Sequence, residues 1–206
     1  MKRKTLIGCG ATLAIVLVIA IGIFSWGTRT YNGMVQQEEL VKKQWSQVEN
    51  QYQRRYDLIP NLVETVKGYA SHEKETFEAV TQARSKAGGT FNISEEVLND
   101  PAMFEKFQQA QAGLSGALQR LMVIQERYPE LKANENFLAL QDQLEGTENR
   151  ISTERKRFND SAQSYNTLIK QFPRVIIANM YGFHAKPYFK AAEGTDTAPK
   201  VDFGGK

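Results

Sequence analysis

The chain opens with an unbroken apolar pattern. Leu6 to Trp26 is a run of 21 residues without a charge. At 1.5 Å rise per residue a helix of that length spans roughly 32 Å, about one hydrocarbon core. Lys2, Arg3 and Lys4 precede the run, and the next charge is Arg29. A basic cluster resists translocation, so the pattern predicts a cytoplasmic N-terminus over 1–4, a single transmembrane anchor over 5–27, and an outer domain after it. Two rival readings exist. A cleaved signal needs a shorter apolar region and an A-x-A-like site, which the stretch Ser25 to Arg29 does not offer. A lipoprotein signal would use Cys9, but there the apolar region follows the cysteine instead of preceding it. A retained anchor fits best, with Trp26 and Tyr31 at the outer interface.

From Asn32 to Ala87 the pattern becomes periodic. Val41, Trp45, Val48, Tyr52, Ile59, Val63, Val66, Ala70, Phe77 and Val80 recur at threes, fours and their sums, which is one face of a helix. Pro60 is the breaker inside it. Its ring removes an amide hydrogen and crowds the carbonyl of Tyr56, so the segment is either two helices joined near Tyr56–Pro60 or one long helix that bends there. Gly88-Gly89 ends the run, and 88–100 is a loop with one apolar patch, Val97-Leu98. Asp100-Pro101 predicts a helix start, with the stripe Phe104, Phe107, Leu114, Leu118, Leu121 and Ile124 running to about Arg127. After the turn at Tyr128-Pro129 the longest stripe extends from Phe137 through Leu144, Ile151, Phe158 and Tyr165 to Phe172, where Pro173 ends or bends it. A short apolar run, Val175 to Phe183, follows. The tail over 185–206, with Pro187, Gly194, Pro199, Gly204 and Gly205, is expected to be loose. Single-striped helices joined by short turns bury their stripes against one another. The predicted fold is therefore all-α: an antiparallel up-and-down bundle of three or four long helices over 30–184, preceded by the transmembrane helix.

Charge narrows the function. With the three basic residues at positions 2–4 set aside, 23 basic and 23 acidic side chains remain. A neutral outer domain argues against nucleic acid, which needs a basic excess to displace counterions. The single cysteine lies in the apolar run, so the outer domain has neither a disulfide nor a thiol ligand or nucleophile.

The order of residues resembles a known family. Tyr31-Asn32 after the anchor, the run Gln51-Tyr52-Gln53-Arg54-Arg55-Tyr56-Asp57-Leu58-Ile59-Pro60-Asn61-Leu62-Val63, and Thr65 to Ala70 with His72-Glu73 are followed by Tyr128 to Ala133, Thr147-Glu148, Arg155, Asn159 and Tyr165-Asn166. Together they resemble the LemA family, over residues 31 to about 183, with the tail outside the match. The resemblance implies a bacterial membrane-anchored helical bundle without assigned enzymatic activity, placed in envelope maintenance. It brings no catalytic residues.

No residue pattern speaks for catalysis. Gly-x-Ser-x-Gly, P-loop and Gly-x-Gly-x-x-Gly motifs are missing. Di-metal bundles use Glu-x-x-His pairs, whereas Tyr69 and Tyr181 stand three residues before His72 and His184. No cofactor or metal is expected, and His72 reads as an exposed helix residue. Asn92-Ile93-Ser94 would be a glycosylation acceptor only in a eukaryotic secretory route. Arg54, Arg55, Asp57, Pro60 and Asn61 form the candidate partner-docking knuckle, because a charged cluster at a helix break is exposed yet held in place. The competing reading is a structural cap and ion pair. Glu73, Glu148 and Arg155 fall close to apolar stripes, so they should be paired. The function expected is a non-enzymatic scaffold or adaptor in the bacterial cytoplasmic (inner) membrane, with its bundle on the periplasmic side, binding envelope proteins, a second copy of itself, or both. The alternative is a ligand or stress sensor with a small molecule in the bundle; residues 1–4 are too short for an output domain, so it would need a partner helix in the membrane.

Overall fold

The structure is a computed structural model that describes residues 2–89 and 96–190, with side chains from Leu13 onward. Among these residues there are six α-helices and no strand: α1 (Lys2–Tyr69), α2 (Lys74–Gly88), α3 (Pro101–Val123), α4 (Pro129–Lys132), α5 (Glu135–Lys170) and α6 (Arg174–Tyr181). The Asn92–Ser94 tripeptide and residues 191–206 lie outside the described residues.

α1 settles the ambiguity at Pro60. It is one helix from the apolar run through Pro60 to Tyr69, and the chain turns instead over Ala70–Glu73. His72 is exposed, but in that turn and not in a helix. Leu13 through Phe24 of α1 stand clear of the bundle, and among the described side chains the first buried one is Met34. From Met34 to Tyr69 the helix rises roughly 53 Å, and the 36 residues of α5 rise about 54 Å. These two matched helices form the principal pair, and α2 pairs with α3. The order is up-down-up-down: α1 leaves the anchor, α2 returns, α3 climbs again, and α5 descends to the anchor end.

Local chemistry places the ends. Asp100 caps α3 by accepting from the amides of Ala102 (2.8 Å) and Met103 (3.3 Å), with Pro101 in the first turn. Asn134 caps α5 by accepting from the Phe137 amide (2.9 Å). Side-chain oxygens at these positions satisfy amides the helix itself leaves open. Gly182 has φ +75°, a left-handed conformation that glycine adopts without steric cost, and there α6 ends.

The core is divided in two along the bundle axis. Near the anchor, Met34, Val41, Trp45, Phe104, Phe158 and Tyr165 belong to one cluster. At the far end, Ile59, Leu62, Val66, Leu121, Phe137 and Leu144 belong to another. The seam of α1 runs Met34, Glu38, Val41, Trp45, Val48, Tyr52, Arg55, Ile59, Leu62, Val66, alternating steps of four and three throughout. Leu62 is buried and Val63 only half-buried, which moves the seam by one residue after Pro60 from the expected stripe.

The tail expectation is corrected for its first residues. Phe183 to Lys190 run extended, back along α5, and Lys186 and Phe189 are buried. Asn166 donates through Nδ2 to the Lys186 carbonyl (2.8 Å) and accepts from the Lys186 amide at Oδ1 (2.8 Å). Asn159 does the same for Phe189, at 2.9 Å in both directions. Each side-chain amide thus replaces one peptide partner of a missing strand. The clamp seats the Phe189 ring against Phe104 (4.9 Å between centroids) and Phe158 (5.5 Å), with the Arg155 guanidinium 4.5 Å from its centroid.

Candidate functional site

The two polar positions in the α1 seam each anchor a buried ionic layer. Arg55 lies at the boundary between the two core clusters. Its Nη1 donates to Glu148 Oε1 of α5 (2.7 Å) and to Ser115 Oγ of α3 (2.8 Å). Its Nη2 donates to Gln111 Oε1 and to the Gln111 carbonyl. Below it the Tyr52 ring lies 5.0 Å from the guanidinium carbon. Gln111 fills the gap between Phe107 and Leu114 in the α3 stripe as Arg55 fills the gap between Tyr52 and Ile59. One cation therefore ties three helices at mid-height. A buried charge is tolerated only when it is paired and hydrogen-bonded, and here the fork geometry of arginine meets three acceptor side chains. Burial raises the Tyr52 phenol above its ordinary value, against the opposing pull of Arg155 and Arg55.

The second layer joins the strap to the bundle. Lys186 Nζ donates to Glu38 Oε1 of α1 (2.7 Å) and to Asn99 Oδ1 (2.7 Å), and the Tyr165 ring lies 5.7 Å away. Burial, with the Glu38 carboxylate beside it, drives the Tyr165 phenol well up.

The candidate docking residues part company. The premise that Arg54 and Arg55 both face outward is corrected: Arg55 is buried, because it occupies a seam position three residues after Tyr52 and four before Ile59. Arg54, Asp57, Pro60 and Asn61 are exposed and share the outer face of α1. Asp57 Oδ1 accepts from Gln53 Nε2 (2.8 Å), and the Asn61 carbonyl accepts from Thr65 Oγ1 (2.8 Å). Pro60 leaves the Tyr56 carbonyl without its helical donor. Arg84 of α2 supplies one: its Nε donates to that carbonyl (3.4 Å), and its guanidinium lies 3.9 Å from the Tyr56 ring centroid. The helix breaker is therefore the place where α2 locks onto α1. Close fit extends to Gly88, where a Cβ would come within 2.9 Å of the Tyr56 hydroxyl.

The other charges near the stripes are paired. Glu73 meets Arg127 (3.0 Å) and accepts from the Tyr128 hydroxyl (3.3 Å), closing the far end. Arg155 donates to the Lys190 carbonyl (3.0 Å). Glu38, Arg84, Gln111 and Lys186 escaped the sequence reading, although seven-residue gaps in the apolar stripes mark the first and third of them. Among the described residues no three His, Cys, Asp or Glu side chains gather where they could hold a metal ion.

Comparison with known proteins identifies the family. The model of the LemA family matches residues 44–203. The match starts later than the resemblance read from the motifs and takes in most of the tail. The chain is similar to magnetosome protein MamQ of Magnetospirillum gryphiswaldense, 28% identical over 200 residues, covering 90% of this chain and 74% of that protein. It is similar to magnetosome protein MamQ 2 of Paramagnetospirillum magneticum, 26% identical over 202 residues and covering 91% and 74% of the two chains. Protein LemA of Metamycoplasma hominis is 23% identical over 181 residues, 88% of this chain and 78% of that protein.

Proposed function

The chain belongs to the LemA family, and from that premise we propose that it is a non-enzymatic scaffold, anchored in the bacterial cytoplasmic membrane by α1 and presenting its bundle on the outer side to partner proteins. One observation carries the reading: the helix that holds the apolar anchor segment is the same unbroken helix that supplies the central seam of the bundle. A partner seated on the bundle is thereby held at a set height and direction from the bilayer, which is what a scaffold does. That relatives are named as magnetosome proteins favours a membrane-associated role. The interior supports a scaffold over a sensor, since the mid-height of the bundle is filled by Arg55, Tyr52, Gln111 and Thr147.

The partner surface is the exposed face of Arg54, Asp57, Pro60 and Asn61. It presents an arginine fork and a carboxylate on a rigid helix, and such groups anchor protein contacts. The test is photocrosslinking in intact cells, with a crosslinker at Arg54 or Asn61 and a control at Asn149 on the opposite helix. Discrete adducts from the first two and none from the control are expected. Equal adduct patterns at all three would sink the assignment. Arg54→Ala should lower complex recovery while changing stability by no more than about 0.5 kcal/mol. The topology has its own test: a reporter fused after Lys206 should be active only in its exported form.

A further inference from the structure

The anchor end of the bundle has a surface unlike the rest. Around α6, four large apolar side chains are open: Phe172 at 82%, Ile176 at 53%, Met180 at 69% and Tyr181 at 62% exposure. Ile176 and Met180 are one turn apart, and Phe172 sits beside the start of the helix. The opposite face, Ile177 and Ala178, is buried in the core cluster. Elsewhere on the bundle the exposed large apolar residues, such as Val123 and Leu138, have no exposed large apolar residue one turn away on the same helix. Contiguous apolar patches on a folded surface mark contact with another phase or molecule.

The position of α6 identifies what covers it. The Tyr181 ring lies 4.9 Å from the Tyr31 ring of α1, and Phe183 lies 5.6 Å from the same ring. Tyr31 is five residues beyond Trp26, the end of the apolar run, so it rises about 7.5 Å above it. The headgroup zone on one side of a bilayer is roughly 5–7 Å thick. α6 is thus tied to the anchor at the level where headgroups meet water. Charge agrees: Lys170 and Arg174 flank the start of α6, residues 161–190 hold no acidic residue, and between Lys4 and Glu38 the only charge is Arg29. A short helix with one exposed apolar face and flanking cations, packed against α5 and the anchor end of α1, has the chemistry of an interfacial element.

We propose that α6 is a second membrane contact: its Phe172, Ile176, Met180 and Tyr181 face enters the headgroup–acyl boundary of an anionic bilayer beside the anchor. The bundle is then held at two points and not left to swivel on one helix. This rests on the reading of the apolar run as a membrane anchor.

The experiment uses the full chain in vesicles of phosphatidylethanolamine and phosphatidylglycerol, in a Cys9→Ser background. An environment-sensitive fluorophore is placed through Ile19→Cys in the anchor, Ile176→Cys in α6, or Leu138→Cys at the far end. Quenching by lipids spin-labelled high on the acyl chain is the readout. The Ile19→Cys and Ile176→Cys labels should be quenched several-fold more than the Leu138→Cys label, and Met180→Asp should bring the Ile176→Cys label down to the Leu138→Cys level. Quenching of the Ile19→Cys label alone overturns the contact and leaves the anchor standing. No quenching at either site means that the anchor reading has failed, and this inference with it. An Ile176→Cys label whose emission is apolar but which escapes the lipid quencher is covered by protein, which also overturns the lipid assignment.

Discussion

The Arg55–Glu148 pair makes an unusual prediction: losing the more exposed partner should cost more. The side chain of Arg55 is 2% accessible and that of Glu148 is 41%. In Glu148→Ala the guanidinium keeps its full charge inside the bundle, with only the neutral Ser115 and Gln111 as partners. Breaking a buried pair in this way costs about 3–5 kcal/mol, and the surviving neutral hydrogen bonds place the effect near the lower end. In Arg55→Met the unbranched apolar chain follows the path of the arginine stem. Glu148 is left half in water and is resolvated at little cost. The unpaired Gln111 Oε1 costs about 1–3 kcal/mol, offset in part because no guanidinium has to be dehydrated on folding. The net expectation for Arg55→Met is about 0–2 kcal/mol.

The assay is urea denaturation of the full chain in mild detergent, followed by far-ultraviolet circular dichroism, with the denaturant slope checked for constancy. The double variant supplies the internal control. Once Arg55 is gone, Glu148→Ala has no buried charge to strand, so the double variant should be no less stable than Arg55→Met alone, a coupling well beyond simple addition. A larger loss in Arg55→Met than in Glu148→Ala would refute the reasoning. It would mean that Arg55 stabilises chiefly by packing, and that its charge reaches water when Glu148 is removed.

Other parts of the bundle give sharper numbers with simpler perturbations. Leu144→Ala empties a buried site between α5 and the far core and should cost about 2–5 kcal/mol, against roughly ±0.5 kcal/mol for exposed Gln143→Ala, by the same urea titration. Pro60→Ala restores an amide to the Tyr56 carbonyl, so Arg84→Ala should cost less in that background than in the native chain; equal costs would remove the carbonyl from the account. Asn166→Ala unpairs the Lys186 backbone in a buried setting, and limited proteolysis should then cut the 183–190 strap before any helix is attacked. Burial holds Tyr52 and Tyr165 protonated above the ordinary tyrosine value near about 10. For acids with raised folded values, stability is whole below that pH and drains away as pH climbs through the folded values, so alkaline unfolding should coincide with the late fraction of phenolate absorbance. Phenolate appearing for all tyrosines before unfolding would contradict the burial of these two rings.

The helices were legible because their stripes are long, and a long stripe averages out local irregularity. The start of α3 was legible for a different reason, since Asp100-Pro101 combines a capping acceptor with a residue that needs no donor there. Pro60 was ambiguous because sequence cannot say whether the carbonyl freed by a proline finds another donor. Here it finds Arg84, 28 residues further on, and the helix continues. Residues 185–190 of the strap read as loose for a related reason. Its short, proline-containing run shows no periodicity, and the groups that hold it are Asn159 and Asn166 on a helix already assigned to the core.

The ionic layers show why the site was harder to read than the fold. Arg54 and Arg55 are neighbours of the same type, and composition cannot tell them apart. Their phase can: the seam steps four and three from Val41 to Val66, and Arg55 is in step while Arg54 is not. An apolar stripe with a seven-residue gap is therefore not two stripes with a spacer. It is one stripe in which a polar residue has been placed at a core position, where an unpaired charge would be very costly. Such a position demands partners at the same height on the facing helices, and the gaps at Gln111 in α3 and Thr147 in α5 fall at that height. The same reasoning applied to Glu38, in the gap between Met34 and Val41, calls for a buried cation near the anchor end. The cations of α3 and α5 nearest that end, Lys106 and Lys170, are exposed; the buried cation comes from the segment after α6, and Lys186 is what makes that strap part of the bundle.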